Sequence, residues 1–107
     1  MYMWYAKVVV YKIRFNEEKN QLLKILRQIC FDEAIQAISE GRLLADIVHT
    51  SKERPSQRIY VIDINGYAYA LPYIKDDKKK EIFLKTLYPS RVLTKKYIGG
   101  RNEKNKK

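Results

Sequence analysis

The chain has 107 residues, 46% of them apolar, which is enough for one domain with a modest core and too short for two. Its formal charge of +10 and sequence pI of about 9.7 predict a polyanionic partner such as nucleic acid, an anionic membrane or an acidic protein. A single cysteine and a single histidine exclude an intrachain disulfide and a four-ligand structural zinc site, so we expect no metal and no cofactor.

The apolar stretches of the chain bear on where the protein acts. The opening six residues are apolar, but they are too short and too aromatic for the core of a secretory signal. No apolar run approaches the roughly 20 residues that a membrane span requires. We therefore expect a cytoplasmic protein that makes no use of the membrane.

Most of the positive charge lies in the last third of the chain. Residues 1–74 hold ten Lys and Arg against eight Asp and Glu, whereas residues 75–107 hold twelve against four. We therefore expect a polyanion to bind the last third. A Lys-rich surface also keeps a small protein soluble, and that role explains part of the excess.

The first predicted elements are a strand and a helix. Residues 8–15 are β-branched and partly alternating, which predicts a strand. Asn16 is a good N-cap residue, and apolar residues recur at helical spacing over about 17–29. The apolar residues that we expect to face the core are Leu22, Leu23, Leu26 and Ile29.

A second helix and a short strand come next. Asp32 can cap a helix over 33–40, and Gly41 stands where a helix commonly ends. Residues 42–49 leave this helix and are expected to add a short strand. The polar stretch 50–57 then predicts a loop.

The strongest local signal is a β-hairpin. Residues 58–64 and 67–74 are β-branched and aromatic runs, and Asn65-Gly66 between them favours a two-residue type I′ turn. One face of this hairpin is large and apolar, so we expect it to cover the core. The facing pairs that such a turn predicts are Ile64 with Tyr67, Ile62 with Tyr69, and Tyr60 with Leu71.

The remaining elements complete an α+β domain. After a charged loop, residues 81–88 predict a third meander strand, and Ser90 is a suitable N-cap for a short helix over 91–97. The order of elements predicts two N-terminal helices packed on one face of a mainly antiparallel β-sheet. We expect one domain over 1–97, followed by a basic, disordered tail over 98–107.

A few residues have side chains that suit catalysis. His49 is the single histidine, and it is either a general acid or base or a partly exposed strand-end residue. Lys85 lies within an apolar strand, so it points either to solvent or into an anion site. Arg91, directly after Pro89-Ser90, can clamp a phosphate; alternatively it caps a strand end or pairs with an acid.

Together, these groups suit RNA cleavage without a metal. Attack of a 2′-hydroxyl on the adjacent phosphate needs a base, an acid for the leaving oxygen and cations for the developing charge. His49, Lys85 or Tyr88 can handle the protons, and tyrosines can stack on unpaired bases. The further cations that we expect to bind RNA are Lys52, Arg54, Lys95 and Lys96.

Several short motifs resemble the BrnT-type toxins. Residues 15–20 read FNEEKN and residues 29–34 read ICFDEA. They are similar to the aromatic-Asp-x-x-Lys-x-x-Asn opening and the Phe-x-Glu-Ala helix of that family. Residues 58–62 resemble its Arg-led strand, and residues 88–91 and 95–97 resemble its terminal Ser-x-Arg segment.

The resemblance extends over about 15–97 and implies a RelE/ParE-like fold and a ribonuclease that arrests translation. It also implies a partner, a ribbon-helix-helix antitoxin that neutralises the toxin and represses the shared promoter. Arg58 and Arg91 match the family's positions and are carried over as phosphate-binding candidates. The family's Lys-His-Gly at the end of the first helix reads Leu-Arg-Gln at 26–28, so its histidine is replaced here.

The leading functional hypothesis is thus the toxin of a type II toxin–antitoxin system, acting as a metal-independent endoribonuclease. Two other functions fit the same features. One is a non-catalytic nucleic-acid-binding module. The other is a superfamily member that inhibits a protein target.

Overall fold

The computed structural model describes residues 2–5, 9–48 and 57–99, with side chains from residue 11 onward. Among these residues, no helix is long and apolar enough to cross a lipid bilayer. The strands are β1 (Tyr2–Tyr5), β2 (Val9–Phe15), β3 (Leu43–Val48), β4 (Gln57–Ile64), β5 (Tyr67–Asp76), β6 (Glu81–Leu84) and β7 (Tyr88–Pro89). The helices are α1 (Glu17–Arg27), α2 (Phe31–Ser39) and α3 (Arg91–Thr94), and α3 continues into a π-helical turn over Lys95–Gly99.

A mixed β-sheet forms the frame of the protein. Six strands lie side by side in the order β1-β2-β6-β5-β4-β3, and the short β7 also pairs with β5. Neighbouring strands are antiparallel except β2 and β6, which run parallel. The predicted α+β class is therefore confirmed, whereas the parallel pair was not predicted.

The β4–β5 hairpin has the predicted register. Asn65 and Gly66 have φ angles of 55° and 84°, which a type I′ turn requires. The Asp63 carboxylate accepts a hydrogen bond from the Gly66 N–H at 2.8 Å, which closes the turn. The facing pairs are Ile64 with Tyr67, Ile62 with Tyr69, and Tyr60 with Leu71.

The third meander strand is shorter than the predicted 81–88. β6 ends at Leu84, after which the Lys85 N–H donates to the Pro72 carbonyl at 2.8 Å. The chain then leaves the sheet ladder and rejoins β5 only at Tyr88 and Pro89. The apolar run over 82–88 predicted a longer strand. Leu87 is indeed buried, but it lies outside any strand.

The cap of α1 is as predicted, but the helix is shorter. The Asn16 side chain accepts a hydrogen bond from the Lys19 N–H at 2.9 Å. The helix ends at Arg27, two residues before the predicted end, because Gln28 adopts a left-handed conformation with φ 56°. The Gln28 N–H still donates to the Lys24 carbonyl at 3.0 Å, which closes the last turn.

The cap predicted for α2 at Asp32 is wrong, since the helix already begins at Phe31. The buried Asn20 side chain on α1 accepts the Phe31 N–H at 2.8 Å, and its amide nitrogen lies 3.2 Å from the Asp32 carboxylate. The first N–H of α2 is therefore accepted by an amide on another helix, and no sequence pattern near Asp32 predicts this hydrogen bond.

The main core unites residues from α1 and α2 with one face of the sheet. This face, the core face, carries Tyr60, Ile62 and Leu71, all at most 1% exposed. The Phe15 and Phe31 rings meet with centroids 5.0 Å apart, and the buried Tyr60 and Tyr73 rings stack at 3.9 Å. The apolar hairpin face therefore covers the core, as predicted.

The apolar stripe predicted to bury α1 is only partly buried. Leu23 and Ile29 are 3% exposed, but Leu22 and Leu26 are 49% and 70% exposed, so the prediction is wrong for these two. The buried side of the helix carries Leu23 and the polar Asn20 instead, while the exposed Arg27 donates from its guanidinium to the Leu87 carbonyl at 2.6 Å.

The opposite side of the sheet, the reverse face, has a second and smaller core. Val61 and Ala68 are fully buried there, and Ile98 of the π-helical turn is 4% exposed. Within the described residues α3 is the third helix. It begins where the short helix over 91–97 was predicted, and with the π-helical turn it covers the reverse face, a position that was not predicted. The predicted tail begins inside the fold, because Ile98 and Gly99 belong to this turn, whereas residues 100–107 lie outside the described residues.

The turn between β5 and β6 is attached to β2 by a carboxylate. The Tyr11 hydroxyl donates to Asp77, and the Lys75 ammonium lies 3.6 Å from the same carboxylate oxygen. The hydrogen bond from Tyr11, helped by the charge of Lys75, holds the pKa of Asp77 below its usual value. Because the folded-state pKa is lowered, ionised Asp77 stabilises the fold above its unfolded-state pKa.

Asp77→Asn should therefore lower the melting temperature near neutral pH. The difference from the wild type should shrink as the pH falls below about 4, because protonation then removes the same interaction from the wild type. Thermal unfolding across the acidic range measures this effect. In a Tyr11→Phe background, Asp77→Asn should change the melting temperature less. An equal loss at every pH would contradict the role assigned to the carboxylate.

Candidate nucleic-acid interface

The turn from β7 into α3 presents Arg91 to solvent. The Ser90 N–H donates to the Ala68 carbonyl at 3.0 Å, and the Ser90 hydroxyl accepts the Leu93 N–H at 3.1 Å, so the predicted N-cap is confirmed. The Thr94 hydroxyl accepts the Ala68 N–H at 2.9 Å and fixes the same turn to β5. Arg91 is thus the first residue of a well-anchored helix, and within the described ranges no acidic side chain pairs with it.

Three cations lie on the solvent side of this helical segment. Lys95 follows Arg91 by one turn, and its N–H donates to the Arg91 carbonyl. Lys95 and Lys96 are exposed, with the Lys96 ammonium 5.5 Å from the centroid of the Tyr97 ring. The apolar side of the segment packs on the reverse face through Ile98. The segment therefore offers solvated positive charge on a fixed backbone.

Lys85 and Tyr88 belong to the same side of the sheet as Arg91. Tyr88 pairs with Ala70 of β5, which lies on the reverse face beside Ala68. Paired residues of neighbouring strands project to the same face, so Tyr88 projects to the reverse face. Phe83 alternates with the buried Ile82 and Leu84 and is 38% exposed. The Lys85 ammonium lies 5.6 Å from the Phe83 ring centroid, so the lysine also lies on this side.

These residues follow one stretch of β5. Lys85, Tyr88 and Ser90 are joined through their backbones to Pro72, Ala70 and Ala68, respectively. From Ala68 to Pro72 there are four residue steps, which span about 13 Å along a strand. The row from Lys85 through Tyr88 to Arg91, here called the β5 row, therefore places three of the predicted catalytic residues along one short path.

Arg58 does not join the β5 row. Its Nε donates to the Asp46 carboxylate at 3.1 Å, and its Nη2 donates to the Asp46 carbonyl at 3.1 Å. The Tyr73 hydroxyl donates to the same carboxylate at 2.7 Å. The hydrogen bond to Asp46 is also the main cause that raises the pKa of Arg58. Arg58 pairs with Tyr73, a residue of the core face, so a phosphate there would compete with Asp46.

Three predicted site residues come from the stretch between β3 and β4. His49, Lys52 and Arg54 lie outside the described residues, so their roles stay predictions. Val48 at the end of β3 pairs with Arg58, which puts the backbone before His49 next to that arginine. Within the described ranges, no three His, Cys, Asp or Glu side chains gather closely enough to hold a metal ion.

An open cavity of about 490 Å³ adjoins Lys85. It lies where the parallel strands β2 and β6 end side by side and the chain turns into α1. Of its lining residues only Lys85 was predicted as a site residue; the alternation with Ile82 and Leu84 was a signal for Phe83, and no sequence pattern marked the residues from 16–22 as part of a site. The lining residues are Asn16, Glu18, Lys19, Leu22, Phe83 and Lys85.

Comparisons with known proteins leave the family open. No protein-family model matches the chain, and neither the curated proteins nor the solved structures gave a significant match. The functional argument therefore depends on the residues and the geometry described above.

Proposed function

We propose that this protein is the toxin of a type II toxin–antitoxin system, a cytoplasmic, metal-independent endoribonuclease with a RelE/ParE-like fold that binds single-stranded RNA. The observation that supports it most is the β5 row, in which Lys85, Tyr88 and Arg91 lie along one stretch of an anchored backbone. Two more exposed cations, Lys95 and Lys96, follow this row. A row of cations with an interposed aromatic residue suits a phosphate backbone with unpaired bases.

The role proposed for Arg91 is to stabilise the negative charge that develops on the scissile phosphate. Its guanidinium can make two parallel hydrogen bonds to phosphate oxygens, and it stands at the start of a fixed helix. In the proposed reaction the 2′-hydroxyl attacks the adjacent phosphorus and the bond to the 5′-oxygen breaks. Tyr88 and Lys85 lie on the β5 row, where one can give a proton to that leaving oxygen and the other can remove the proton from the 2′-hydroxyl; His49 stays a candidate for either transfer.

A protein partner is part of the same proposal. The exposed apolar stripe of α1 consists of Leu22, Ile25 and Leu26, which are 49%, 75% and 70% exposed. Such residues one helical turn apart are commonly covered by another protein chain. A ribbon-helix-helix antitoxin encoded beside this protein is the partner that we propose.

The alternative is a nucleic-acid-binding module without catalytic activity. The ion pair of Arg58 with Asp46 favours it, because one of the two arginines expected to hold phosphate is already occupied. The two functions share the RNA-binding step and differ in whether the bound RNA is cut. A toxin arrests growth when it is expressed, and its partner relieves the arrest, whereas a binding module does neither.

The RNA-binding step is tested by the salt dependence of affinity for a single-stranded RNA, measured by fluorescence anisotropy. The logarithm of the affinity should fall linearly with the logarithm of the salt concentration. Arg91→Ala and Lys95→Ala should each flatten this slope by about 0.7, the value for one lost phosphate contact. Lys79→Ala, which removes an equal charge from the exposed β5–β6 turn, should leave the slope unchanged. Affinity that is insensitive to salt would contradict the proposal.

A further inference from the structure

Phe83 is an aromatic residue at an exposed position of the sheet. Its neighbours along β6, Ile82 and Leu84, are 0% and 1% exposed, whereas Phe83 is 38% exposed. A half-exposed phenylalanine loses part of the free energy that burial would supply. The residue nevertheless forms one wall of the open cavity beside α1.

The chemical groups around Phe83 are of three kinds. Two ammonium groups, on Lys19 and Lys85, can pair with a phosphate. One carboxylate, on Glu18, can accept hydrogen bonds from an amino group. The Leu22 side chain adds an aliphatic wall. The cavity volume of about 490 Å³ falls within the range of small-molecule sites.

This combination matches the parts of a nucleotide. The exposed Phe83 ring can stack on the face of an unpaired base, as aromatic side chains do in single-strand binding proteins. Glu18 can accept a hydrogen bond from an exocyclic amine, which adenine, cytosine and guanine carry and uracil lacks. The two lysines can hold the phosphate next to that base.

We propose that the cavity is a subsite for one unpaired, amino-bearing nucleobase and its adjacent phosphate. The inference rests on the proposed RNA binding and deepens it. Lys85 lines the cavity and also begins the β5 row, so a strand whose base stacks on Phe83 continues towards Tyr88 and Arg91. The subsite fixes the register of the strand on the protein.

The test compares the affinities of eight-nucleotide oligoadenylate and oligouridylate, measured by fluorescence anisotropy. The wild type should bind oligoadenylate more tightly. Phe83→Ala should weaken oligoadenylate binding by about 5- to 150-fold, the range for losing one stacked base. Phe83→Leu keeps an apolar side chain and should lose most of the same affinity, whereas Phe83→Trp should retain it. Glu18→Ala should reduce the preference for oligoadenylate over oligouridylate.

Leu43→Ala is the matched control, because it truncates an apolar side chain that is 38% exposed, as Phe83 is, but lies on β3 and does not line the cavity. It should leave both affinities unchanged. Competition with adenosine monophosphate shows whether the subsite binds a free nucleotide or a nucleotide within an RNA chain. Displacement at concentrations similar to those of the oligonucleotide would identify a free nucleotide as the ligand, and weak displacement a base within a chain.

The outcomes also separate this inference from the proposed function. Equal oligoadenylate affinity in the wild type and in well-folded Phe83→Ala and Phe83→Leu variants would overturn the subsite while RNA binding stands. That result would indicate instead that a protein partner covers the cavity through its contact with Leu22. If the wild type binds neither oligonucleotide, both proposals are overturned.

Discussion

Arg91→Ala should slow RNA cleavage by about 10²- to 10³-fold, which corresponds to about 2.7–4 kcal/mol of lost transition-state stabilisation. The reason is that Arg91 is exposed at the start of α3 and can direct its guanidinium at the scissile phosphate. The fold should survive, because Ser90 and Thr94 anchor the turn without using the Arg91 side chain. The measurements are the cleavage rate and the growth arrest caused by the variant, with its melting temperature as a check on folding.

Arg91→Lys is the conservative substitution to compare with Arg91→Ala. It should restore only part of the rate, because an ammonium cannot make the two-pronged contact with a phosphate. Lys79→Ala removes one charge elsewhere and should keep the full rate. Full toxicity in a well-folded Arg91→Ala protein would remove this residue from the site. A lowered melting temperature with intact cleavage would point instead to a structural role.

Phe31→Ala should reduce the free energy of unfolding by about 3–5 kcal/mol, the usual loss for a fully buried phenylalanine. Phe31 is 0% exposed, and its ring contacts Phe15 at the end of β2 with centroids 5.0 Å apart. The truncation leaves a cavity between α2 and the sheet, whereas the backbone hydrogen bond to Asn20 is unaffected. Chemical denaturation measures the loss.

The matched variant is Phe31→Leu, which refills most of the cavity. We expect it to cost about 1.5 kcal/mol or less. Since small domains are stable by only about 5–15 kcal/mol, the alanine variant should lose a large fraction of the free energy of unfolding. If both variants lost the same small free energy, Phe31 would not be the centre of the core that its burial indicates.

The local signals of the sequence predict those parts of the fold that depend on neighbouring residues. Asn65-Gly66 determines the hairpin and its register because both residues tolerate positive φ. Asn16 and Ser90 each cap a helix. In both caps a side-chain oxygen accepts a hydrogen bond from the backbone N–H three residues later. These interactions are complete within a few residues, so the sequence alone was sufficient.

The parts that were not predicted depend on contacts between distant residues. Asn20 caps α2 across 11 residues, and Arg27 reaches the Leu87 carbonyl across 60 residues. Asn20 and Leu23 are the buried residues of α1, so Leu22 and Leu26 are exposed although their spacing is that of a buried stripe. Helical periodicity shows which residues share a side, and tertiary contacts decide which side is buried.

The candidate site was predicted in part for the same reason. Lys85, Tyr88 and Arg91 are close in sequence, and the structure places them along one stretch of β5. Arg58 was predicted to hold phosphate from a resemblance to a family motif, but its partner Asp46 lies 12 residues away on a neighbouring strand. The sequence pattern could not show this pairing.

The most direct test of the proposed function is the chemistry of the RNA ends. Purified protein is incubated with a single-stranded RNA that contains adenines, in the presence of a metal chelator, and the products are mapped by sequencing and mass spectrometry. The proposal predicts cuts at discrete positions that leave a 2′,3′-cyclic phosphate and a 5′-hydroxyl, and the same cuts made about 10²- to 10³-fold more slowly by Arg91→Ala. RNA that is bound but stays intact, under conditions in which expression of the protein arrests growth, would contradict it.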